Sequence, residues 1–307
     1  MTRTGPRWAL HIGLFVASLV TMFRAGVLGS EAYLRARAER ELLGFVDPAI
    51  PAWWTLTEVW ADALAFSLSL MAILFAHEMG HYLTARRLGV KMSPPYFLPW
   101  FEPFGSMGAV IAMEARPMSA RQLMRVAAAG PFAGMIVAVP LIVIGAMWSE
   151  VRPLSPGGGE VLLGECLLFG WVVDLVQPAP PPGHDVFLHP MAFAGWAGCF
   201  ITALNLLPVA QLDGGHILYA GFGERSAGVA RVAFGALIVM GALIYPPWVV
   251  IGGVIAYTMG VRHPALLQGP VASGSDRMIG RAAMTLFILT FTPRPFVGLF
   301  PGLLDLL

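Results

Sequence analysis

The sequence predicts an all-α, polytopic membrane protein with about six to eight transmembrane helices. Hydrophobic residues make up 57% of the chain and charged residues only 12%, whereas soluble domains carry about 25% charged residues. Several stretches also contain the roughly 20 mostly apolar residues that a helix needs to cross a bilayer. The net charge of +1 gives no indication of nucleic-acid binding. The lipid bilayer is therefore the expected environment of the chain.

Seven candidate spans follow one another along the chain, at roughly residues 8–28, 57–86, 122–148, 188–208, 228–245, 247–262 and 278–292. Tandem prolines disfavour a continuous helix, so the sequence YPPW at residues 245–248 predicts a tight turn between the fifth and sixth spans. The apolar stretch 160–176 is short and has an acidic residue at or near each end. We expect a half-buried or interfacial helix there, flanked by loops rich in proline and glycine.

Basic residues near the ends of the spans predict the orientation. Most of them fall on one side of the membrane if the N-terminus is cytoplasmic: Arg3, Arg7, Arg86, Arg87, Lys91, Arg121, Arg125, Arg225, Arg231, Arg262, Arg277 and Arg281. The loop at residues 31–41 is an exception, because three arginines lie there among three glutamates. The first span lacks a convincing signal-peptide cleavage site and no Ser-rich transit segment is evident, so we expect a multi-pass protein of a prokaryotic cell membrane.

The stretch LFAHEMGHYL, residues 74–83, places three ionisable side chains in one of the most apolar parts of the chain. His77 and His81 are four residues apart, so on a helix they lie on one face, where two imidazoles can bind one zinc ion. The carboxylate of Glu78 could then take a proton from a water molecule that the ion activates. In the alternative, the histidines hydrogen-bond neighbouring helices and Glu78 is protonated. A carboxylate at the bilayer centre costs roughly 2.5–3.5 kcal/mol, which favours a bound cation.

A catalytic zinc ion usually has three protein ligands, and the best candidate for the third lies in NLLPVAQLDGGHI, residues 205–217. This segment follows an apolar span, and Pro208 is expected to break the helix before two glycines permit tight turns. In the predicted topology the second and fourth spans run in the same direction, which brings Asp213 to the depth of His77 and His81. We therefore expect one zinc ion per chain, held by these three side chains.

Two features near the predicted ligands have more than one interpretation. His216 follows Asp213 by three residues and could orient a ligand, or it could be an ordinary polar residue at the start of a helix. In AGPFAG, residues 129–134, Gly130 and Gly134 are four residues apart. Small residues at that spacing allow helices to approach closely, so we expect this stretch to pack against the helix that carries HEMGH.

These motifs resemble those of the site-2 protease family, the intramembrane zinc metalloproteases. The resemblance rests on HEMGH and on the pattern formed by Asn205, Pro208, Leu212, Asp213 and Gly214. The chain is also similar to the branch that includes the plastid EGY-type proteins and their prokaryotic relatives, through SPPYFLP (93–99), FGSMGAVI (104–111), AGPFAG and RHP (262–264). The resemblance divides the chain into a first span with an extracytoplasmic loop (1–56), a metalloprotease core (57–264) and a C-terminal transmembrane segment (265–307).

The resemblance implies hydrolysis of peptide bonds in or near transmembrane segments of other membrane proteins, as in regulated intramembrane proteolysis. It implies that Glu78 is the general base and that Asn205 steadies the oxyanion. It also implies a re-entrant loop or short strand near the zinc site, where a substrate could add as a strand to Gly105, Ser106, Met107 and Gly108. An ordinary packed loop is the alternative for that stretch. Many family members carry a PDZ domain, and no loop here is long enough for a separate domain of typical size.

Three other functions compete with proteolysis. The first is a catalytically inactive zinc-binding scaffold or chaperone, which would have no need of a base such as Glu78. The second is a zinc hydrolase acting on lipids or on prenylated termini, which would not require the segment from Asn205 to Asp213. The third is a transporter, for which few intramembrane charges remain once the zinc site is set aside. The sequence favours the protease.

Overall fold

A computed structural model describes residues 7–30, 56–112, 118–154, 162–264 and 267–297, together with residues 300 and 303. Within these residues the α-helices are α1 (Trp8–Gly29), α2 (Thr57–Arg87), α3 (Ala120–Met147), α4 (Leu167–Val176), α5 (Pro190–Asn205), α6 (Asp213–Phe222), α7 (Ser226–Leu243), α8 (Pro247–Met259) and α9 (Gly274–Thr290). The strands are β1 (Tyr96–Pro99), β2 (Ser106–Val110), β3 (Glu150–Pro153), β4 (Leu162–Leu163), β5 (His184–Phe187) and β6 (Phe296–Val297).

The helices confirm a polytopic membrane protein. Four described helical segments are long and apolar enough to cross a membrane: Trp8–Gly29, Thr57–Arg87, Ala120–Met147 and Asp213–Leu243. The last one joins α6 to α7 through a single 3₁₀ turn, so the predicted span at 228–245 is the second part of a longer helical segment. Large apolar side chains on the outside remain exposed, including Ile136 and Val232, each at 74%. Such a surface suits lipid better than water.

The shorter elements refine the sequence predictions. The fourth predicted span, 188–208, is helical only from Pro190 to Asn205, because Pro208 lies in the connection that follows. The predicted helix at 160–176 is confirmed for Leu167–Val176, whereas Leu162 and Leu163 form strand β4 instead. Tyr245 and Pro246 separate α7 from α8, as the tandem prolines predict. The predicted loop at 31–41 lies outside the described residues.

The core is built from α2, α3 and α5, which approach one another at small residues. A Cβ atom on Gly80 of α2 would collide with the backbone oxygen of Ala129 on α3, and one on Gly145 of α3 would collide with the backbone of Ala192 on α5. Most residues of α5 are buried, among them Trp196, which is 1% exposed. Close approach at small residues is how membrane helices gain packing energy in the absence of a hydrophobic driving force.

A β-hairpin follows α2 in the chain and packs back against α1. Strands β1 and β2 pair antiparallel, with Tyr96 opposite Val110 and Pro99 opposite Ser106. The turn before β2 is fixed against α1, because the Thr21 hydroxyl donates to the Gly105 carbonyl oxygen over 2.6 Å. Gly105 has a φ of +74°, and a Cβ there would collide with the α1 backbone. Only glycine meets both requirements without strain.

Helix α9 packs against α3. Gly280 of α9 lies against Met124 of α3, with no space for a Cβ atom. The Arg125 Nε atom donates to Asp276 Oδ1 over 2.6 Å, which joins α3 to the first turn of α9. The Trp248 indole donates to the Pro293 carbonyl oxygen over 2.8 Å, which joins α8 to the chain that follows α9.

Candidate metal centre

Two of the three predicted ligands stand on α2, one turn apart. His77 and His81 are both buried, with 3% and 8% of their surface exposed, and their ring centroids are 4.9 Å apart. The helix is continuous through both residues, so a spacing of four puts the two rings on one face, which is turned towards α3 and the end of α5.

Asp213 reaches the same place from a break between helices. Helix α5 ends at Asn205, the chain continues as an irregular connection through Pro208, and α6 begins at Asp213. The start of α6 lies tightly against this connection: a Cβ atom on Gly214 would collide with the carbonyl oxygen of Leu206, and one on Gly215 with that of Ala210. The two glycines after Asp213 therefore allow the connection to fold back and direct the carboxylate towards α2.

The three side chains form one cluster. Asp213 Oδ2 lies 3.4 Å from His77 Nε2 and 3.3 Å from His81 Nε2. One donor atom from each residue lies within 4.8 Å of the other two, and within the described residues this is the one such group of His, Cys, Asp or Glu side chains. Two atoms that each bind one zinc ion at about 2.1 Å in tetrahedral geometry are about 3.4 Å apart. The separations and the donor types therefore fit a zinc ion held by two imidazoles and a carboxylate.

Helix α3 packs against both imidazoles and hydrogen-bonds one of them. The Val126 carbonyl oxygen lies 2.8 Å from His81 Nδ1, and because it can only accept, Nδ1 carries the proton and Nε2 presents its lone pair to the cluster. A Cβ atom on Gly130 would overlap the His81 ring, and one on Gly134 would come within 3.3 Å of His77 Nδ1. The two glycines thus pack against the helix of HEMGH, as their spacing predicts, and each does so at a ligand.

The two predicted catalytic side chains are close to the cluster. Glu78 is buried, with 7% of its surface exposed, and among the described residues its carboxylate has no hydrogen-bond donor. Asn205, the last residue of α5, places its Nδ2 atom 3.4 Å from His77 Nε2. The amide therefore lies beside the ligands, where its N–H groups could reach an oxygen atom bound in the site.

Three of the four residues predicted to bind substrate begin β2, and the fourth, Gly105, directly precedes it. Gly105 ends the turn that contacts α1, Ser106 is buried and bonds the Leu98 carbonyl oxygen over 3.1 Å, and Met107 is 58% exposed. Gly108 has a φ of +91° and no neighbour where a Cβ would lie. Strand β2 pairs with β1 on one side, and within the described residues its other edge has no partner strand.

His216 lies one turn along α6 from Asp213 and contacts a residue to which the sequence patterns assign no role. Its Nδ1 atom is 2.6 Å from Nε2 of His263, which follows α8. His263 belongs to the RHP stretch that carries part of the family resemblance. No spacing rule could have paired the two histidines, because 47 residues separate them in the sequence.

Comparison with known proteins finds one family model and several curated relatives. The family model described as Peptidase family M50 matches residues 65–245. "Probable zinc metalloprotease EGY2, chloroplastic" of Arabidopsis thaliana is 31% identical over 266 residues, which are 80% of this chain and 44% of that protein. The EGY2 protein of Oryza sativa subsp. indica is 30% identical over 254 residues, 78% of this chain and 44% of the relative. "Probable zinc metalloprotease EGY1, chloroplastic" of Arabidopsis thaliana is 30% identical over 260 residues, 81% and 47% of the two chains.

The chain spans less than half the length of these curated relatives. No solved structure matches the chain.

Proposed function

Because the chain belongs to peptidase family M50, we propose that it is an intramembrane zinc metalloprotease that hydrolyses peptide bonds in or near transmembrane segments of membrane proteins. The observation that carries the proposal is the cluster of His77, His81 and Asp213, in which an Asp213 oxygen lies 3.3–3.4 Å from one nitrogen of each histidine and the three donor atoms lie within 4.8 Å of one another. The matched relatives are named as probable zinc metalloproteases, which also supports a zinc-dependent protease.

We propose that one zinc ion per chain binds to His77, His81 and Asp213. When bound, such an ion supplies Lewis-acid chemistry, by lowering the pKa of water and polarising a carbonyl group. Glu78 follows His77 directly on α2 and is buried, so its carboxylate can take a proton from the attacking water and pass it to the leaving amine. The carboxylate has no competing donor among the described residues, which supports this role.

Asn205 is proposed to hold the oxyanion that forms during hydrolysis. Its Nδ2 atom lies 3.4 Å from a ligand nitrogen, so the amide is within reach of an oxygen bound beside His77. The end of α5 fixes its position, because the residues on both sides of it belong to the buried core or to the tight connection before Asp213. Removal of a comparable donor in other hydrolases costs about 2.7–4 kcal/mol of transition-state stabilisation.

The substrate is proposed to add to β2 as an extended strand. A peptide bond inside a helix is already hydrogen-bonded and shielded, so a transmembrane substrate must unwind before hydrolysis. The unpaired edge of β2 offers main-chain hydrogen-bonding groups with little demand on sequence. Gly105, Ser106, Met107 and Gly108 lie at the end of that strand nearest to the turn held by α1.

The cellular setting follows from the same proposal. Substrates would be transmembrane proteins, as in regulated intramembrane proteolysis, and the enzyme would lie in a cell membrane with its N-terminus in the cytoplasm. The distribution of basic residues at the ends of the spans supports that orientation.

The test is proteolysis in a defined membrane. The purified full chain is reconstituted into liposomes with a panel of single-span substrates, with and without a zinc chelator. Wild type is expected to cleave at least one substrate, while Glu78→Gln and chelated wild type do not. The control is Glu58→Gln, which removes an exposed glutamate from the first turn of the same helix and should leave cleavage unchanged.

Three outcomes contradict parts of the proposal. Cleavage that persists in Glu78→Gln removes the proposed base. Wild type that contains no zinc and binds none removes the metal centre. A wild type that binds zinc but cleaves nothing, with Glu78→Gln indistinguishable from it, favours the zinc-binding scaffold.

A further inference from the structure

The short segment Val261–His263, which follows α8, contacts the chain on both sides of Asp213. The Ala210 N–H donates to the Val261 carbonyl oxygen over 3.1 Å. His216 Nδ1 lies 2.6 Å from His263 Nε2. Ala210 precedes Asp213 by three residues and His216 follows it by three, so one segment holds both flanks of the predicted ligand.

The hydrogen-bond partners assign the protons of the two histidines. The Pro264 carbonyl oxygen lies 2.6 Å from His263 Nδ1, and because a carbonyl can only accept, Nδ1 donates. In a neutral ring Nε2 then accepts, so the His216 Nδ1–H is the donor to His263. Burial lowers the pKa of His263 from its ordinary value of 6.5, which favours the neutral ring. The result is a directed chain of hydrogen bonds from α6 to the backbone after α8.

The ring of His263 is also fixed by stacking. Tyr219, one turn beyond His216 on α6, lies against it with centroids 4.2 Å apart and planes 12° from parallel. The Tyr219 hydroxyl donates to Glu224 over 3.2 Å. His263 therefore has two contacts on the same face of α6, which restrict both the translation and the rotation of that helix.

The connection before Asp213 is tightly packed, and it also contains one unfavourable backbone conformation. Asp213 is the first residue of its helix, and the irregular connection before it includes Ala210, which has a φ of +53°. A left-handed conformation is unfavourable for alanine and persists only where its surroundings impose it. The bond from Ala210 to Val261 is one such constraint.

We propose that the Val261–His263 segment positions Asp213 as a zinc ligand, with His263 as a positioning residue that acts through His216. This inference rests on the proposed function, since it takes the His77, His81 and Asp213 cluster to be the zinc site. The segment lies outside residues 65–245, the part matched by the family model. Groups that support metal ligands typically contribute 10–100-fold to metal affinity.

The experiment measures zinc affinity and the rate of zinc release for the full chain in detergent, by competition with a chromogenic chelator. His263→Phe keeps a ring to stack on Tyr219 but cannot accept from His216, and we expect about tenfold weaker zinc binding and faster release. His263→Gln restores an acceptor and should recover part of the affinity. The control is His184→Ala, which removes a histidine whose hydrogen bond is local, to Pro182 over 3.3 Å.

A double-mutant cycle adds a measurement that a purely structural role would not affect. If His263 acts through His216, then His216→Ala with His263→Phe should weaken zinc binding about as much as either change alone. The absorption spectrum of the Co²⁺-substituted protein should shift in His263→Phe and not in His184→Ala.

Specific results would overturn the inference. His263→Phe with zinc affinity within twofold of wild type overturns it, and so do effects of His216→Ala and His263→Phe that simply add. If His263→Phe does not fold, the comparison passes to His263→Gln and His216→Ala, and wild-type affinity in both overturns the inference. A wild type that binds no zinc overturns the proposed function as well, so the two failures are distinguishable.

Discussion

The two halves of the candidate metal centre are built in different ways. His77 and His81 stand on a continuous helix, and α3 packs against their rings at Gly134 and Gly130. Asp213 instead begins a helix after an irregular connection, and hydrogen bonds to the distant segment Val261–His263 hold its two flanks. The histidine half therefore rests on two long packed helices, and the aspartate half on a tightly folded connection together with hydrogen bonds, whose loss should have graded effects.

The largest expected effect is that of Gly130→Ala, in the closely packed half. The new methyl group would overlap the His81 ring, and neither α2 nor α3 can move away because both are long and packed along their length. We expect zinc affinity to fall about 100-fold or more, with a loss of about 1–3 kcal/mol in stability from overpacking. Zinc content by atomic emission and chelator competition measure the change.

The matched control is Gly253→Ala in α8, where nothing lies near the added methyl group. That variant should bind zinc as wild type does. If Gly130→Ala also binds zinc normally, the helical half is not rigid and the contrast between the two halves fails.

The next effect in size is that of Gly214→Ala, in the half that carries Asp213. Its Cβ atom would collide with the backbone carbonyl oxygens of Leu206 and Leu207, so the buried connection that carries them has to shift, whereas the two histidine ligands on α2 keep their places. We expect zinc affinity to fall about tenfold, and stability to fall by about 1–3 kcal/mol. Chelator competition and thermal unfolding measure the two quantities.

Its control is Gly221→Ala on the same helix, where the nearest atom to the new methyl group would be Met124 Cε at 3.8 Å. This variant should match wild type in both measurements. A Gly214→Ala protein that loses zinc as completely as Gly130→Ala would show that the connection is as rigid as the helices.

The same contrast determines how much of the site the sequence could predict. His77 and His81 follow from a spacing of four residues on a helix, which local sequence shows directly. The spacing of Gly130 and Gly134 also predicts their packing against that helix, but the hydrogen-bonded supports do not follow from the sequence: the Val126 carbonyl that orients His81 is 45 residues away from it, and His263 is 47 residues away from His216. Those contacts depend on how helices pack, which no periodicity within one segment reveals.

The elements of the fold also differ in how well the sequence predicts them. The long spans could be predicted within a few residues, because an unbroken run of about 20 apolar residues is typical of a membrane-spanning helix. The antiparallel pairing of β4 with β6 could not, because two-residue strands at Leu162–Leu163 and Phe296–Val297 show no alternation. The continuity of α6 and α7 could not be predicted either, since apolar length indicates a crossing but not where the helix that makes it begins.

A smaller effect is expected for Arg125→Gln. This variant tests whether losing an ion pair between α3 and α9 changes zinc binding. Arg125 precedes Val126 and binds Asp276 over 2.6 Å, with the two side chains 30% and 15% exposed. Its loss should cost about 1 kcal/mol in stability. Zinc affinity should stay within twofold of wild type, because the Val126 carbonyl remains in place in the helix. Thermal unfolding and chelator competition measure the two quantities, with Arg121→Gln, an exposed change at the start of α3, as the control.

The smallest effect is expected for Ala210→Gly. Glycine relieves a φ of +53°, which costs alanine about 1–2 kcal/mol. Against that, it loses one buried methyl group, worth about 0.8 kcal/mol, and adds about 0.4–1 kcal/mol of unfolded-state entropy. These contributions nearly cancel, so stability in thermal unfolding should stay within about 1 kcal/mol of wild type.

Zinc affinity should also be unchanged in Ala210→Gly, because the backbone N–H that donates to Val261 is still present. Ala210→Pro removes that N–H and forces φ to about −65°, so it should weaken zinc binding where glycine does not. Chelator competition on the two variants separates the alanine side chain, which both remove, from the donor N–H and the left-handed backbone, which only proline removes. Equal zinc affinity in the glycine and proline variants would mean that the bond to Val261 does not hold Asp213, and the two halves of the centre would then differ less than their contacts indicate.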